Sequence, residues 1–266
     1  MDFVTTAQTA ALRAGAFLKD HLSEPREITF KGAIDLVTEM DKHAEKIVVD
    51  TLLASFPGHG ILAEESARIE SGSAYQWIID PLDGTTNYAH RYPVFCVSIG
   101  LTQAGAVIAG VVYDPVRDEL FSAEKGKGAR MNGKPIMVSG CTLLDKSLLA
   151  TGFPYDVRTS LEDNLDYFAT MVKASQGMRR SGSAALDLCS VAAGRLDGYW
   201  ELKLKPWDVA AGSLIVQEAG GQVSDFSGLR FSVFDTEIVA SNRHIHAEML
   251  DVLKAAQKND TGRASV

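Results

Sequence analysis

Between Val94 and Gly133 the chain reads as apolar strands separated by little more than turns; after about residue 140, strands alternate with helices. That change of rhythm constrains the fold more than any other feature. VFCVSIGL (94–101), AVIAGVVYDP (106–115) and DELFSAEKGKGARMNG (118–133) are β-rich runs. The breaks at Gln103-Ala104-Gly105, Gly126-Lys127-Gly128 and Asn132-Gly133 mark an antiparallel meander. Further on, strands at 147–150, 177–180, 196–201, 221–225 and 237–240 are interleaved with helical patterns near 161–174 and at 183–194, 206–220 and 244–257. Alternation of this kind builds α/β layers. Two helical patterns, 2–22 and 39–55, open the chain, and Phe56-Pro57-Gly58 stops the second. Short strands at 60–63 and 76–79 then lead into the meander. The expectation is a mixed α and β protein with a boundary near 140: an α+β domain over 1–140 and an α/β domain over 141–266.

A length of 266 residues suits one or two closely packed domains, and 46% hydrophobic with 23% charged residues is a globular composition. The most apolar runs, 94–101 and 106–113, fall well short of the ~20 residues that span a bilayer. Phe3, Ala7, Ala10, Ala11, Ala14, Phe17 and Leu18 recur at helical spacing, and Asp2 stands where a secretory leader carries positive charge. A cytoplasmic protein is therefore expected. With 34 acids against 26 bases the net charge is −8, which argues against direct nucleic-acid binding, since phosphate contacts need a Lys/Arg surplus. Cys96, Cys141 and Cys189 are odd in number and form no CxxC pair, so they read as small buried side chains rather than disulfides or zinc ligands. His244 and His246 read as surface residues, and the polar tail from Asn259 is expected to fray.

Chemistry concentrates in Trp77-Ile78-Ile79-Asp80-Pro81-Leu82-Asp83-Gly84-Thr85-Thr86-Asn87, an apolar strand running straight into two carboxylates at i and i+3. Pro81 removes a donor, Gly84 lets backbone approach a ligand, and Thr85 can open a short helix whose N–H groups attract an anion. Taken alone this is also ordinary Asx-turn chemistry. Two acids and an anion-binding turn suit the same ligand only if a cation sits between them. Glu64 and Glu65 follow another short strand; Asp208 lies in the first turn of a helix opened by Pro206, where it also offsets the helix dipole. Ala210-Ala211-Gly212 demands close packing against a neighbour. Thr38 is a good N-cap, with Asp41 three residues on completing a capping box in weakened form. Two carboxylates ~5 Å apart at an effective dielectric of ~20 repel by roughly 3 kcal/mol, so such acids gather only around cations. All-oxygen donors without His or Cys point to a hard ion, Mg²⁺ first.

D-x-V-T-x-x-D (Asp35–Asp41), E-E-S (Glu64–Ser66), D-P-L-D-G-T-T-N (Asp80–Asn87) and W-D-x-A-A-G (Trp207–Gly212), in this order, resemble the inositol monophosphatase family of Mg²⁺-dependent, lithium-sensitive sugar phosphatases. RRSGSAALDLCSVAAGRLDGYWELKLKPWD, from Arg179, is similar to the bacterial branch of that family. The resemblance implies a layered αβαβα sandwich and hydrolysis of a small phosphomonoester, myo-inositol monophosphate first, by in-line attack of a metal-activated water. It implies two or three Mg²⁺ per site: Glu64, Asp80 and the Leu82 carbonyl on the first, Asp80, Asp83 and Asp208 on the second, and Glu64 on a looser third. Thr85 backed by Asp41 would orient and deprotonate the attacking water, while Gly84 and Thr85 N–H groups take phosphate oxygens. Gly182, Ser183, Ala184 and Glu201 would line the polyol side, with Asp83 and Asp208 also meeting hydroxyls. Lys31 and Asp35 would lie on a mobile loop gating the metals, and the assembly would be a homodimer. Ala63 stands where the family usually has Gly, and Tyr88 where Phe is common.

The alternatives are fructose-1,6-bisphosphatase or another phosphomonoesterase with the same metal residues, and a regulatory role in antitermination complexes of bacterial RNA polymerase, as some relatives have. Gly126-Lys127-Gly128 lacks Walker spacing and reads as a hairpin turn, and Ser181-Gly182-Ser183 is no nucleophile elbow. Arg179-Arg180, Lys203 and Lys205 can steer an anion or form a partner patch, or be plain solvated surface.

Overall fold

The computed structural model describes residues 2–24, 28–30, 36–65 and 68–263. Helices α1 (Phe3–Asp20) and α2 (Glu39–Ser55) flank a two-stranded hairpin, β1 (Ile28–Phe30) with β2 (Leu36–Thr38). Next come β3 (Gly60–Ala63), β4 (Arg68–Ile69), β5 (Tyr75–Asp83) and the one-turn helix α3 (Thr85–Ala89). The meander is β6 (Cys96–Gln103), β7 (Ala106–Asp114), β8 (Glu119–Glu124), β9 (Ala129–Met131) and β10 (Lys134–Pro135). Together they form an eight-stranded sheet in the order β10-β9-β8-β7-β6-β5-β3-β4, antiparallel except for β3 alongside β5.

The second half carries β11 (Leu148–Thr151), α4 (Leu165–Ala174), β12 (Gly177–Arg179), α5 (Ala184–Ala192), β13 (Gly198–Leu202), α6 (Pro206–Glu218), β14 (Gln222–Ser224), β15 (Glu237–Ser241) and α7 (His246–Arg263). Its five-stranded sheet runs β12-β11-β13-β15-β14, with β11 parallel to β12 and β13 and the β15 pairs antiparallel.

Side-chain alternation stacks these elements into five layers. On β5, Trp77 and Ile79 join the core under α1 and α2, whereas Ile78 faces Ala210 of α6. On the second sheet Ala150, Tyr199, Ile238 and Ala240 face α5 and α6, while Leu149, Trp200 and Val239 face α4 and α7. Successive strand residues point to opposite faces, so each sheet has two apolar faces and must be covered on both. The order is α1/α2, eight-stranded sheet, α5/α6, five-stranded sheet, α4/α7: the layered αβαβα sandwich.

The middle layer is seated by small residues. A Cβ on Gly100 or Gly110 would come within 2.8 Å of Ala210 or Ala211, and one on Gly212 within 2.7 Å of Leu188 on α5. Ala210-Ala211-Gly212 thus packs on both sides. The turns at Gly126, Gly128, Asn132 and Gly133 have positive φ, as hairpin turns require. Glu218 of α6 accepts the Gly126 and Gly128 N–H groups at 2.8 Å, so that turn is tied to the middle layer.

Four expectations need correction. Helix α4 begins at Leu165 rather than 161: Asn164 is buried at φ 72° and spends its side chain on Thr151, Gly152 and Trp200, while Leu161, whose apolarity suggested helix, is exposed. The helix α7 continues to Arg263 instead of fraying from Asn259, since propagation adds a backbone bond for each residue fixed. His246 is buried, not at the surface. Its Nε2 and Nδ1 each lie 2.9 Å from a serine hydroxyl, Ser224 and Ser241, and burial pushes it down to about 4. His244 is exposed, and of the cysteines Cys96 and Cys189 are buried but Cys141 only half so. Lys31, Asp35 and Ser66 lie outside the described residues, as does the Thr38 side chain.

Candidate active site

Parallel β3 and β5 end at Ala63 and Asp83, and parallel β11 and β13 end at Thr151 and Leu202. The first turns of α3, α5 and α6 start beside those ends. Strand carboxyl ends meeting helix amino ends is the usual place for an α/β ligand crevice. Here they enclose a cavity of about 260 Å³ lined by Glu64, Asp80, Leu82, Asp83, Gly84 and Thr85 from the first half and Gly182, Ser183, Ala184, Asp187, Glu201 and Asp208 from the second.

Asp80 and Asp83 share the cavity because β5 is irregular between them. Asp80 pairs with Ser98 but Asp83 with Cys96, so Pro81 and Leu82 together face one partner residue. In a regular strand, positions three apart point to opposite faces. The extra residue of a bulge restores the phase, and Pro81 has no N–H to lose. Leu82 accordingly turns into the core under α1 and α2, and Asp83 turns toward α5. Gly84 then takes φ 95°, where a Cβ would press on the Val94 carbonyl at 2.9 Å. Only glycine fits that corner.

Each aspartate has one oxygen fixed by the protein. Asp80 Oδ1 accepts the Leu82 N–H at 3.0 Å, and Asp208 Oδ2 accepts the Lys205 N–H at 2.6 Å. Asp83 Oδ2 accepts Ser183 Oγ at 2.6 Å, the Ala185 N–H at 2.8 Å and the Cys96 thiol at 3.7 Å. Asp41, at the start of α2, accepts the Thr85 hydroxyl at 3.0 Å, and the Leu82 carbonyl lies 3.0 Å from the same hydroxyl. The expected capping box with Thr38 lies outside the described side chains. Asn87 ties α3 across the seam, donating to the Ser181 and Val94 carbonyls at 2.8 Å.

Electrostatically the site is unbalanced. Burial, then the charges of Glu64, Asp83 and Asp208, holds Asp80 well above the carboxylate range. Asp83 is raised by burial against the pull of its Ser183 and Ala185 bonds, and Asp208 is raised well by burial, with Glu64 and Asp83 adding to it. Among the described residues no Lys or Arg pairs with Asp80, Asp83 or Asp208. Nor are three His, Cys, Asp or Glu side chains already gathered into a metal-holding group there. The donor set nevertheless fits a hard dication: Mg²⁺ takes one or two carboxylates and fills its shell with carbonyl, water and phosphate oxygens. Three acids that repel one another, Asp80 and Asp83 buried and Asp208 half-buried, each with one oxygen engaged, are what such an ion would relieve.

On the wall contributed by β13, Glu201 accepts the Tyr199 hydroxyl at 2.5 Å, and burial lifts it to about 7. Its carboxylate lies where a Cβ on Gly152 would be, so a larger residue there would push Glu201 aside. Ser183 caps α5, accepting the Leu186 N–H at 3.3 Å while donating to Asp83, and Gly182 before it has φ 85°.

Every expected site residue with a described side chain except Asp41 therefore lines the cavity, and Asp41 reaches it through Thr85. Sequence reasoning missed Asp187, a buried acid that takes the Ser181 hydroxyl, and Gly152, Phe153, Pro154 and Tyr155. Asp187 did leave a signal, the one acid within AALDLCSVA; the 152–155 segment left none. Arg180, Lys203 and Lys205, open in the sequence to anion steering, a partner patch or plain solvated surface, also line the cavity. Tyr88 donates its hydroxyl to the Leu18 carbonyl at 2.8 Å, so the departure from Phe leaves no buried polar group unpaired.

The model of the inositol monophosphatase family matches residues 1–259. An inositol-1-monophosphatase of Synechocystis sp. is 49% identical over 251 residues, covering 94% of this chain and 88% of the relative. The Nus factor SuhB of Escherichia coli (strain K12) is 44% identical over 247 residues, 92% of each. The structure of inositol monophosphatase from Anabaena (Nostoc) sp. PCC 7120 superposes with a TM-score of 0.88 at 46% identity, covering 95% of both chains. Fold, acid-lined crevice and relatives define a phosphoric monoester hydrolase. The chain belongs to the inositol monophosphatase family, whose members are generally Mg²⁺-dependent. Among the described residues no helix is long and apolar enough to cross a membrane.

Proposed function

We propose that the chain hydrolyses myo-inositol monophosphate, with two or three Mg²⁺ held by Glu64, Asp80, the Leu82 carbonyl, Asp83 and Asp208. The observation that carries this is the convergence of those groups with Thr85 on one cavity that is also lined by Gly182, Ser183, Ala184 and Glu201. When bound, Mg²⁺ neutralises phosphoryl charge and makes water acidic enough to attack at neutral pH. Phosphoryl transfer has a loose transition state, so the protein's share is positioning. The N–H groups of Gly84 and Thr85 hold phosphate oxygens. The Thr85 hydroxyl accepts a hydrogen bond from the attacking water and passes its own proton toward Asp41, 3.0 Å away. Glu201, fixed by Tyr199, orients the leaving polyol together with Asp83 and Asp208. We assign most metal ligands to a domain of residues 1–140 and Asp208 with the polyol side to 141–266, and the working form to a cytoplasmic homodimer.

Purified protein assayed on a panel of phosphomonoesters, with and without Mg²⁺, tests this. Activity should require Mg²⁺ and favour inositol monophosphate; a preference of more than about tenfold for fructose bisphosphate overturns the substrate. The 44% identical relative named Nus factor SuhB supports a second reading, a regulatory partner of bacterial RNA polymerase, with exposed Arg179-Arg180 as contact. If Asp83→Asn abolishes hydrolysis without altering a cellular phenotype, and RNA polymerase is recovered in a pull-down, the second reading stands.

A further inference from the structure

One wall of the cavity is the loop between β11 and α4, residues 152–164, which presents Phe153, Pro154 and Tyr155 to it. Asn164 closes its neck. The Asn164 Nδ2 donates to the Gly152 carbonyl at 2.5 Å and to Thr151 Oγ1 at 2.8 Å, and its Oδ1 accepts the Trp200 indole N–H at 2.9 Å. Both ends of the loop are thereby pinned to the five-stranded sheet. Its interior folds on itself, with the Val157 N–H on the Pro154 carbonyl and those of Thr159 and Ser160 on the Asp156 carbonyl, at 2.9–3.0 Å. A loop with joined ends, packed on itself, is an Ω-loop, and such loops are frequently functional.

Its tip is held by one side chain from the end of the neighbouring strand β13. Lys203 Nζ donates to Asp156 Oδ2 at 2.7 Å and to Ser160 Oγ at 2.6 Å, with the lysine side chain only 26% exposed. Lys203 lies between Glu201 and Asp208 in sequence and itself lines the cavity, whereas Asp156 and Ser160 do not. Its backbone has φ 61°, a region that non-glycine residues enter at a cost and keep where their surroundings over-determine them. Glycine would adopt that backbone without strain, so what the lysine adds is its ammonium.

We propose that Lys203 is a specificity-determining positioning residue: by clasping Asp156 and Ser160 from the end of β13, it fixes the 152–164 loop as the wall against which the substrate's leaving group packs. This rests on reading the cavity as the phosphatase site. With the clasp closed, the leaving group fits between that wall and Glu201. With it open the wall yields, and grip on the polyol is lost while the phosphoryl end, held from β5, α3 and α6, keeps its groups.

The test uses full-length Lys203→Met, Lys203→Gly, Lys203→Arg, Asp156→Asn and the Lys203→Met/Asp156→Asn double variant. With Mg²⁺ present, Lys203→Met should raise KM for myo-inositol 1-phosphate about tenfold while kcat moves less than about threefold, the signature of lost ground-state grip. The KM rise should be at least about fivefold smaller for p-nitrophenyl phosphate, which has no hydroxyl-bearing ring to grip. Asp156→Asn should act in the same direction, and the double variant should be no worse than the worse single one, because both break one interaction. Lys203→Arg should restore KM to within about threefold. Lys203→Gly relieves the backbone and should melt no lower than the parent, yet share the raised KM, which separates the clasp from folding.

Trypsin cleavage after exposed Arg158 reads the clasp independently of activity. It should quicken in Lys203→Met and Asp156→Asn and not in Lys203→Arg. Unchanged KM in both single variants, additive effects in the double one, or unchanged cleavage overturns the proposal. If the parent hydrolyses neither phosphate, the functional reading fails by itself, and the cleavage rates still decide whether Lys203 holds the loop.

Discussion

Asp83 stands at the meeting point of structure and chemistry: one of its oxygens caps the start of α5 through Ser183 and Ala185, and its charge adds to those of Asp80 and Asp208. Asp83→Asn keeps the shape and removes a buried charge. Its kcat/KM should fall by at least about 10², or ~3 kcal/mol of transition-state stabilisation. In EDTA its melting temperature should match or exceed that of the parent, and the rise on adding Mg²⁺ should shrink, because a ligand stabilises only as far as it binds. A variant that melts lower in EDTA yet keeps the full Mg²⁺ shift would make Asp83 a structural partner of Ser183 alone. Glu201 gives a pH test. Burial lifts it from 4.5 to about 7, so between those values the folded chain holds a proton that the unfolded chain has released. Its contribution is therefore complete below 4.5 and lost as pH rises through 7, up to roughly 3 kcal/mol. Glu201→Gln, which cannot ionise, should gain stability relative to the parent from pH 5 to pH 8 in EDTA, followed by urea unfolding. Asp83 was legible as the second of two acids after an apolar strand, a pattern shared with ordinary Asx turns, whereas Glu201 was reached only through the motif resemblance. Asp187 and Tyr199 were less legible, since a single polar group in an apolar helix or strand looks the same whether it serves the core or a cavity.

Helix α6 shows how an element carries a site. Its Ala210 and Ala211 lie against Gly100 of β6 and Gly110 of β7, and this contact sets where Asp208, one turn earlier, projects. Gly110→Ala would put a methyl 2.8 Å from the Ala211 carbonyl oxygen and 3.0 Å from its Cα, both backbone atoms that cannot rotate away. Overpacking of this kind costs about 1–3 kcal/mol, or ~2–4 °C of melting temperature per kcal/mol in a chain of this size. The Mg²⁺ concentration for half-maximal activity should rise as well, because α6 shifts with Asp208 on it; normal Mg²⁺ dependence in a destabilised variant would uncouple the two. The run Ala210-Ala211-Gly212 announced that packing in the sequence, but nothing announced its partners, since Gly100 and Gly110 sit in strands where glycine usually marks a bulge. At the far end of the chain His246 docks α7 between Ser224 of β14 and Ser241 of β15. Buried and neutral, it titrates near 4, whereas an unfolded histidine titrates near 6.5. The unfolded chain thus binds the extra proton between those values, and stability complete above 6.5 is lost as pH falls through 4, by up to roughly 3 kcal/mol. His246→Asn should be less stable than the parent at pH 7.5, and the gap should narrow toward pH 4.5. That histidine looked like surface because a lone polar residue at the start of a helix carries no burial signal of its own.

At the scale of the whole molecule, the two halves have separate sheets but not separate cores. The central apolar cluster joins Val94, Val112 and Phe121 of the first half to Leu188, Leu214, Ile215 and Ala240 of the second. The αβαβα order was reached through motif resemblance, whereas periodicity supplied its pieces: the meander, the βα alternation and the two leading helices were readable as local patterns. Stacking was not readable locally, because a sheet with two apolar faces states only that it is covered twice, not by which helices. The same feature bears on the proposed division at residue 140. A fragment of residues 1–140 would expose the sheet face carrying Ile78, Val112 and Phe121, and a fragment of 141–266 would expose the flank of α6 that meets Gly100 and Gly110. Each surface that folding buries is worth ~25 cal/mol per Å² of apolar area, so neither half keeps its stability alone. Calorimetry of the intact chain in EDTA should therefore show a single transition with matching calorimetric and van't Hoff enthalpies. Adding Mg²⁺ with inorganic phosphate should move that transition upward as one, because the proposed ligands Asp80 and Asp83 come from one half and Asp208 from the other. Two resolved transitions, with only one responding to Mg²⁺, would mean that the halves fold independently and that the ion is held by one of them alone.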